Sequence, residues 1–338
     1  MKKIICVIAV LMLLSGVSMS VLGAQSPQSS DYPNKNIELI CPSGAGTGFD
    51  ALARKLAATL PDYLPNKVNV FVSNLQAGGG AEGWTRAYYA EPDGYTLLLY
   101  GIPDSLIAQE LYDRPYDIRE MTPLAGLTYE PTTTLASIKS KVDTLEDLIE
   151  KAKNSPVVFG TSGAGSSTHI ESLVTTTVLD IPVRYVHYAN VPEVITGFER
   201  GETEFLNISL PTALMWIREE KVKPLVVYAQ ERQPELPDVP TIYEIEGVTR
   251  EQADKLSGIQ QYRRAVWGPP GMDPELRELL TNAIKEAVMS PEFQEWSEEV
   301  DRPITFVPGT EFNQYVDIMY NNHLEMMDIY RASIGGGK

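Results

Sequence analysis

"IELICPSGAGTGFDALARKLAATL", residues 37–60, is the stretch on which the fold turns. An apolar run from Ile37 to Cys41 breaks at Pro42 into small residues, and from Thr47 the pattern becomes helical. Ser43 opens the turn. Gly44, Gly46 and Gly48 then alternate with Ala45 and Thr47, so the backbone there can come close to a neighbour. Thr47 and Asp50 have capping-box spacing, with Thr47 as the cap and Asp50 reaching back to it. The first N–H groups of a helix have no intrahelical partner and carry the positive end of its dipole. Strand, small-residue loop and helix start thus make either an anion-binding corner or simply a tight turn.

The design recurs in "VVFGTSGAGSSTHIESLV", residues 157–174. A strand leads through Ser162, Gly163, Ala164 and Gly165 to Ser166, Ser167, Thr168 and His169 at a helix start. Thr168 and Glu171 again have capping-box spacing. The hydroxyls supply donors and acceptors that orient polar ligands. Two such corners in matching positions favour binding over a plain turn. A third glycine cluster, "SNLQAGGGAEGW" at 73–84, leaves the same end of the sheet as the first corner, where ligands of open α/β sheets bind.

Around these corners short apolar runs alternate with helical patterns. Strands are expected at 37–41, 68–73, 95–100, 157–160, 183–188 and 222–229. Helices are expected at 47–60, 144–153, 166–179, 191–200, 211–220, 274–289 and 311–331. That rhythm predicts an α/β fold with mostly parallel sheets flanked by helices. With 338 residues, two lobes are expected: 31–124 plus 230–338, with 125–229 inserted. Leu124 to Ile138 and Pro224 to Gln230 are the expected crossings. In the last helix Phe312, Tyr315, Val316, Met319, His323, Met326, Met327 and Tyr330 share one stripe, so His323 is read as structural.

Lys2 and Lys3 precede an apolar run from Ile4 to Leu14, and small residues follow to Gly23 and Ala24. That is the pattern of a cleaved export signal over 1–24, and it implies a periplasmic protein. Cys41 would then be the one cysteine of the mature chain, expected as a small buried hydrophobe. The net charge of −17 argues against nucleic acid or an anionic membrane as partner.

Chemistry finds little support. The first corner lacks full G-x-G-x-x-G spacing, and Ser73-Asn74 offers no acid for a ribose. No G-K-[ST] loop or G-x-S-x-G elbow occurs, and the three histidines lack metal-ligand spacing. No enzyme activity, cofactor or metal is expected. Asn207-Ile208-Ser209 matches a glycan acceptor but sits in an expected strand. Arg263 and Arg264, the one adjacent arginine pair, are read as surface charges before a grip on an anion.

In order along the chain, "YPNKNIELICPSGAGTGFDALARKLA", "NLQAGGGAEG", "EPDGYTLLL", "GTSGAGSSTHIES", "VRYVHYANVPEVITGFERGETEF", "LPDVPTIYE" and "WGPPGMDPEL" resemble the exported solute receptors of tripartite tricarboxylate transporters, the Bug-type binding proteins. The resemblance runs from Tyr32 to about Val307. It implies a two-lobed periplasmic-binding-protein (Venus-flytrap) fold, closing on a small carboxylate held by backbone amides and hydroxyls. It implies a monomer that delivers its ligand to membrane permease subunits. The matching positions are Ser43, Gly44, Ala45, Gly46, Thr47 and Gly48 in lobe one, and Ser162 to His169 in lobe two. Ser43, Phe49 and the 74–80 loop depart from the family pattern near the expected cleft, and Phe49 is counted with the site. Two other roles stay open from sequence: presenting the ligand to a membrane sensor kinase, or an exported enzyme.

Overall fold

The computed structural model describes residues 31–335. The expected export signal at 1–24 lies outside the described residues. From the N-terminal side, β1 (Ile37–Cys41), α1 (Gly48–Thr59), β2 (Val70–Asn74), α2 (Ala81–Tyr88), β3 (Thr96–Ile102) and α3 (Asp104–Leu111) follow one another. Two strands, β4 (Thr122–Gly126) and β5 (Glu130–Ser137), then lead to α4 (Leu145–Asn154). The middle of the chain continues with β6 (Val157–Thr161), α5 (Ser167–Val178), β7 (Val183–His187), α6 (Val191–Arg200), β8 (Phe205–Ser209), α7 (Leu210–Arg218) and β9 (Val222–Val227). The last third holds α8 (Arg250–Ile259), β10 (Gln261–Gly268), α9 (Pro274–Val288), α10 (Pro291–Glu299), β11 (Val307–Pro308), α11 (Gly309–Leu324) and α12 (Met327–Gly335).

The strands form one mixed sheet in the order β2-β1-β3-β10-β5-β8-β6-β7. At one end β2, β1 and β3 are parallel, and at the other β7, β6 and β8 are parallel. Those are the βαβ units that the alternating sequence predicts. The centre is antiparallel: β10 runs against β3, β4 and β5, and β5 runs against β8 and β9. Each parallel end carries one glycine corner, after β1 and after β6.

Apolar burial gives each end its own core. Trp84, Trp267 and Phe312 centre one; Phe159, Phe205 and Tyr330 belong to another, which also takes Ala253, Leu256 and Ile259 from α8. The single helix expected over 311–331 is instead two, α11 and α12, because the chain turns between Leu324 and Met327. The turn has a packing reason. Phe312, Val316 and Met319 stay in the first core, while Met326, Met327 and Tyr330 enter the second. His323 is buried on this stripe, with Nδ1 2.8 Å from the Tyr330 hydroxyl.

Other readings hold at single residues. Cys41 is fully buried, and burial pushes its thiol up to about 11. Asn207 is a buried strand residue, held by Thr134 and Thr175.

Candidate functional site

The first corner is held by one carboxylate. Thr47 caps α1, accepting the Asp50 N–H at 3.3 Å. Asp50 does not complete the expected capping box: its Oδ2 passes Thr47 and accepts the Gly46 N–H at 2.8 Å. Gly46 makes this possible by adopting a φ of 81°, which turns the loop back on the helix. Arg54 Nε donates to the same oxygen at 2.9 Å, and Asn74 Nδ2 donates to Oδ1 at 2.9 Å and to the Ser43 carbonyl at 2.9 Å. Burial opposes the Asp50 charge, but the bonds from Arg54, Gly46 and Asn74 outweigh it and hold its pKa at about 2. Thr47 Oγ1 also donates to the Gly44 carbonyl, which closes the turn.

The second corner is built differently from expectation. Ser166, not Thr168, caps α5, accepting the His169 N–H at 3.3 Å. Thr168 instead lies inside the first turn, where its Oγ1 accepts the Ser162 N–H at 2.8 Å. The Ser162 and Ser166 hydroxyls lie 3.0 and 3.1 Å from that oxygen. His169 has both ring nitrogens engaged: Nδ1 accepts the Gly165 N–H at 2.9 Å, and Nε2 lies 3.0 Å from the Ser333 hydroxyl. Burial, aided by His187, pushes its pKa down to about 4, so it is a neutral ring that fixes the loop.

A cavity of about 160 Å³ lies between the corners. Phe49 lines it from the first, and Ser162, Ser167 and Thr168 from the second. These helix residues stand at the first two helical positions, and in both helices the cap takes the N–H of the third. The N–H groups of the first turn that remain have no intrahelical partner. Among the described residues lining the cavity, Ser43, Gly44, Ala45, Gly46, Thr47, Gly48, Gly163, Ala164, Gly165, Ser166 and His169 do not appear; they shape the loops behind it.

The cavity's remaining polar walls are Asp104, Glu130, Glu171, Ser209, Thr212, Tyr262 and Arg264, of which the sequence singles out Glu171, as a capping-box partner, and Arg264. Arg264 is buried, not a surface charge: it is only 6% exposed. Its Nε donates to Glu130 Oε1 at 2.6 Å, while its Nη1 is buried without a partner. The guanidinium sits 4.1 Å from the Phe49 ring centre, and Phe49 stacks on Tyr100 at 4.4 Å. Arg302 Nε lies 3.3 Å from the same Glu130 oxygen. Burial opposes the Glu130 charge, and Arg264 and Arg302 overcome it, so its carboxyl stays below the usual range. A Cβ placed on Gly48 would stand 3.2 Å from Arg302 Nη1 and 3.7 Å from Arg264 Nη1. Both guanidinium groups therefore sit against the start of α1.

Strand alternation explains why one arginine of the pair reaches this site. Successive side chains of β10 point to opposite faces. Arg263 is also buried, but lies 3.9 Å from the Tyr315 ring and 4.8 Å from that of Tyr129.

The third glycine cluster buttresses the first corner. A Cβ on Gly44 would come within 2.6 Å of Gln76 Oε1, and one on Gly80 within 2.9 Å of the Pro42 carbonyl. A larger hollow of about 340 Å³, by Leu214, Glu235 and Asp301, includes neither corner. Among the described residues, no group of His, Cys, Asp and Glu could hold a metal ion, and no helix is long and apolar enough to cross a membrane.

Residues 52–322 match the family model described as the tripartite tricarboxylate transporter family receptor. Protein BugT of Bordetella pertussis is 27% identical over 294 residues, covering 83% of this chain and 85% of that protein. Among solved structures, a TctC solute-binding protein from Polaromonas, without ligand, superposes with a TM-score of 0.74 at 22% identity, over 90% of this chain and 99% of that one. MatC from Rhodopseudomonas palustris, with bound malate, gives 0.66 at 21% identity, over 90% and 100%. The fold is thus that of the two-lobed periplasmic binding proteins, and family and fold are those of solute-binding receptors, not enzymes.

Proposed function

The chain belongs to the tripartite tricarboxylate transporter receptor family, and from that premise we propose that it is an exported receptor that holds a small carboxylate between its lobes and delivers it to membrane permease subunits. One observation carries the ligand class. The first turns of α1 and α5 and the unpartnered Nη1 of Arg264 meet around one small cavity. Helix N-termini and a desolvated guanidinium bind carboxylate through charge-assisted hydrogen bonds, which lets an acidic protein hold an anion locally. The free N–H groups at the start of each helix, the Ser162 and Thr168 hydroxyls and Arg264 are the contacts we assign. Phe49 acts as a wall that also props Arg264. At about 160 Å³ the cavity is smaller than clefts that take drug-sized ligands, which fits a small acid.

The lobes of this receptor are 31–124 with 230–338, and 125–229, except that α8 and α12 pass from the first to the second. Packing of α8 and α12 into the second core supports those two helices moving with lobe two. A monomer suffices, because both corners belong to one chain.

Thermal unfolding against mono-, di- and tricarboxylates tests the ligand class. A ligand at 100 times its dissociation constant adds about 2.7 kcal/mol to the folded state. A raised midpoint with an acid supports the reading, and no response across the panel removes it.

A further inference from the structure

The same cavity that offers Arg264 to an anion also presents acids. Asp104, Glu130 and Glu171 all line it. Glu130 is answered by Arg264 and Arg302. Asp104 and Glu171 have no such cation. Tyr262 donates to Asp104 Oδ2 at a long 3.3 Å, and Glu171 Oε2 is buried with no hydrogen-bond donor.

A second hollow, of about 10 Å³, shares Asp104, Ser167 and Glu171 with the cavity and is lined also by Gln260 and by apolar residues such as Ile170 and Val174. Gln260 is 1% exposed. Its Nε2 is spent on the Glu171 carbonyl and on Thr175 Oγ1, at 2.6 and 2.7 Å. Its Oε1 is left buried without a donor. Residues with spare acceptors from α3, α5 and the end of α8 thus line one small hollow. Buried acceptors of this kind are costly unless something completes them.

A second carboxylate on the ligand would be the wrong group there, since it brings negative charge and more acceptors. A hydroxyl would bring one donor and no charge. A primary ammonium brings three donors and the missing positive charge, in a volume close to that of one water.

We propose that the ligand is an amino acid: its carboxylate meets the two helix starts and Arg264, and its ammonium group sits between Asp104, Glu171 and Gln260. This rests on the carboxylate reading above and narrows it. The behaviour of the acids agrees. Burial first, then the charges of Asp104 and Glu130, pushes Glu171 well above the usual carboxylate range, and burial raises Asp104 to about 6. Burial outweighs the help that Tyr262 and Arg264 give Asp104 and that Thr132 gives Glu171, so an added positive charge would favour both carboxylates.

The test is calorimetric titration of the purified protein with matched sets. Each set holds an amino acid, the same molecule without its amino group, and the same amine without its carboxylate. Glutamate with glutarate, leucine with 4-methylpentanoate and phenylalanine with 3-phenylpropanoate are suitable starts. One amino acid should bind at least tenfold more tightly than its deaminated partner, and the free amine should not bind. Glu171→Gln, a neutral replacement of the same shape, should weaken that amino acid at least tenfold without lowering the melting point of the free protein. Deaminated acids binding as tightly as the amino acids would overturn the ammonium site, give its hollow to water, and leave the carboxylate reading standing. Binding of amines alone would overturn both; no binding by any set, while a carboxylate of the wider panel raises the melting point, would overturn the amino-acid reading alone.

Discussion

Arg264 Nε lies 2.6 Å from Glu130 Oε1, yet Nη1 of the same guanidinium has no partner. A buried pair with one spare donor is poised to take a further anion. On the proposed reading Arg264 is structural and ligand-binding together. Arg264→Met should abolish carboxylate binding and cost about 3 kcal/mol of stability, because Glu130 keeps only the Thr128 hydroxyl and the charge of Arg302. Arg264→Lys should keep most of the stability but lose at least tenfold in affinity, since an ammonium cannot reproduce the fork or the stacking on Phe49. Chemical unfolding and ligand titration of both variants separate the two effects. Full affinity in Arg264→Met places the ligand elsewhere.

Ser167 occupies the first helical position of α5 and lines the cavity. An acid there suits the helix dipole but also meets Asp104 and Glu171, so Ser167→Asp should change the stability of the free protein by no more than about 1 kcal/mol. The same charge faces the ligand's carboxylate, and affinity should drop at least tenfold. Unchanged binding by this variant counts against the second corner as a site.

Asp50 governs the first corner through pH. Its folded pKa of about 2 lies below the ordinary 3.8, so its contribution to stability is complete above pH 4 and is lost as pH falls from about 4 towards 2. Asp50→Asn should be less stable at neutral pH and should lose less on acidification through that window. Parallel slopes for the two proteins between pH 2 and 5 would show that the Asp50 bonds are not formed.

Gly101 stands opposite Arg264 in the pairing of β3 with β10. A Cβ there would come within 2.2 Å of the Tyr262 ring, which itself lines the cavity. Gly101→Ala should destabilise by about 1–3 kcal/mol and displace Tyr262 towards the ligand's space. Loss of affinity together with stability is the expected pair of results. A neutral outcome in both shows that the ring has room to move.

The sheet's parallel ends were legible because each carries uninterrupted apolar runs followed by glycine and a cap. β1 was expected at 37–41 and is Ile37–Cys41. β10 was not legible: Arg263 and Arg264 break its apolar pattern, and each is buried only because aromatic rings or Glu130 wait for it. That partnership is tertiary and leaves no local signal. The same limit hid most of the site's walls. Glu130 lies 134 residues from Arg264, and Glu171 falls on a helix face that looks like any solvated acid until the fold closes over it. The corners themselves were readable, and Thr47 caps α1 as expected; Asp50 prefers the N–H of Gly46 to closing the capping box, and the second cap moves from Thr168 to Ser166 because Thr168 takes the N–H of Ser162.

The most direct measurement is a crystal structure of the protein soaked with the acid that most raises its melting point. The account predicts carboxylate oxygens about 3 Å from the first-turn N–H groups of α1 or α5 and from Arg264 Nη1. A ligand in the hollow beside Leu214 and Asp301, or one in the cavity that turns its carboxylate away from both helix starts, would contradict it.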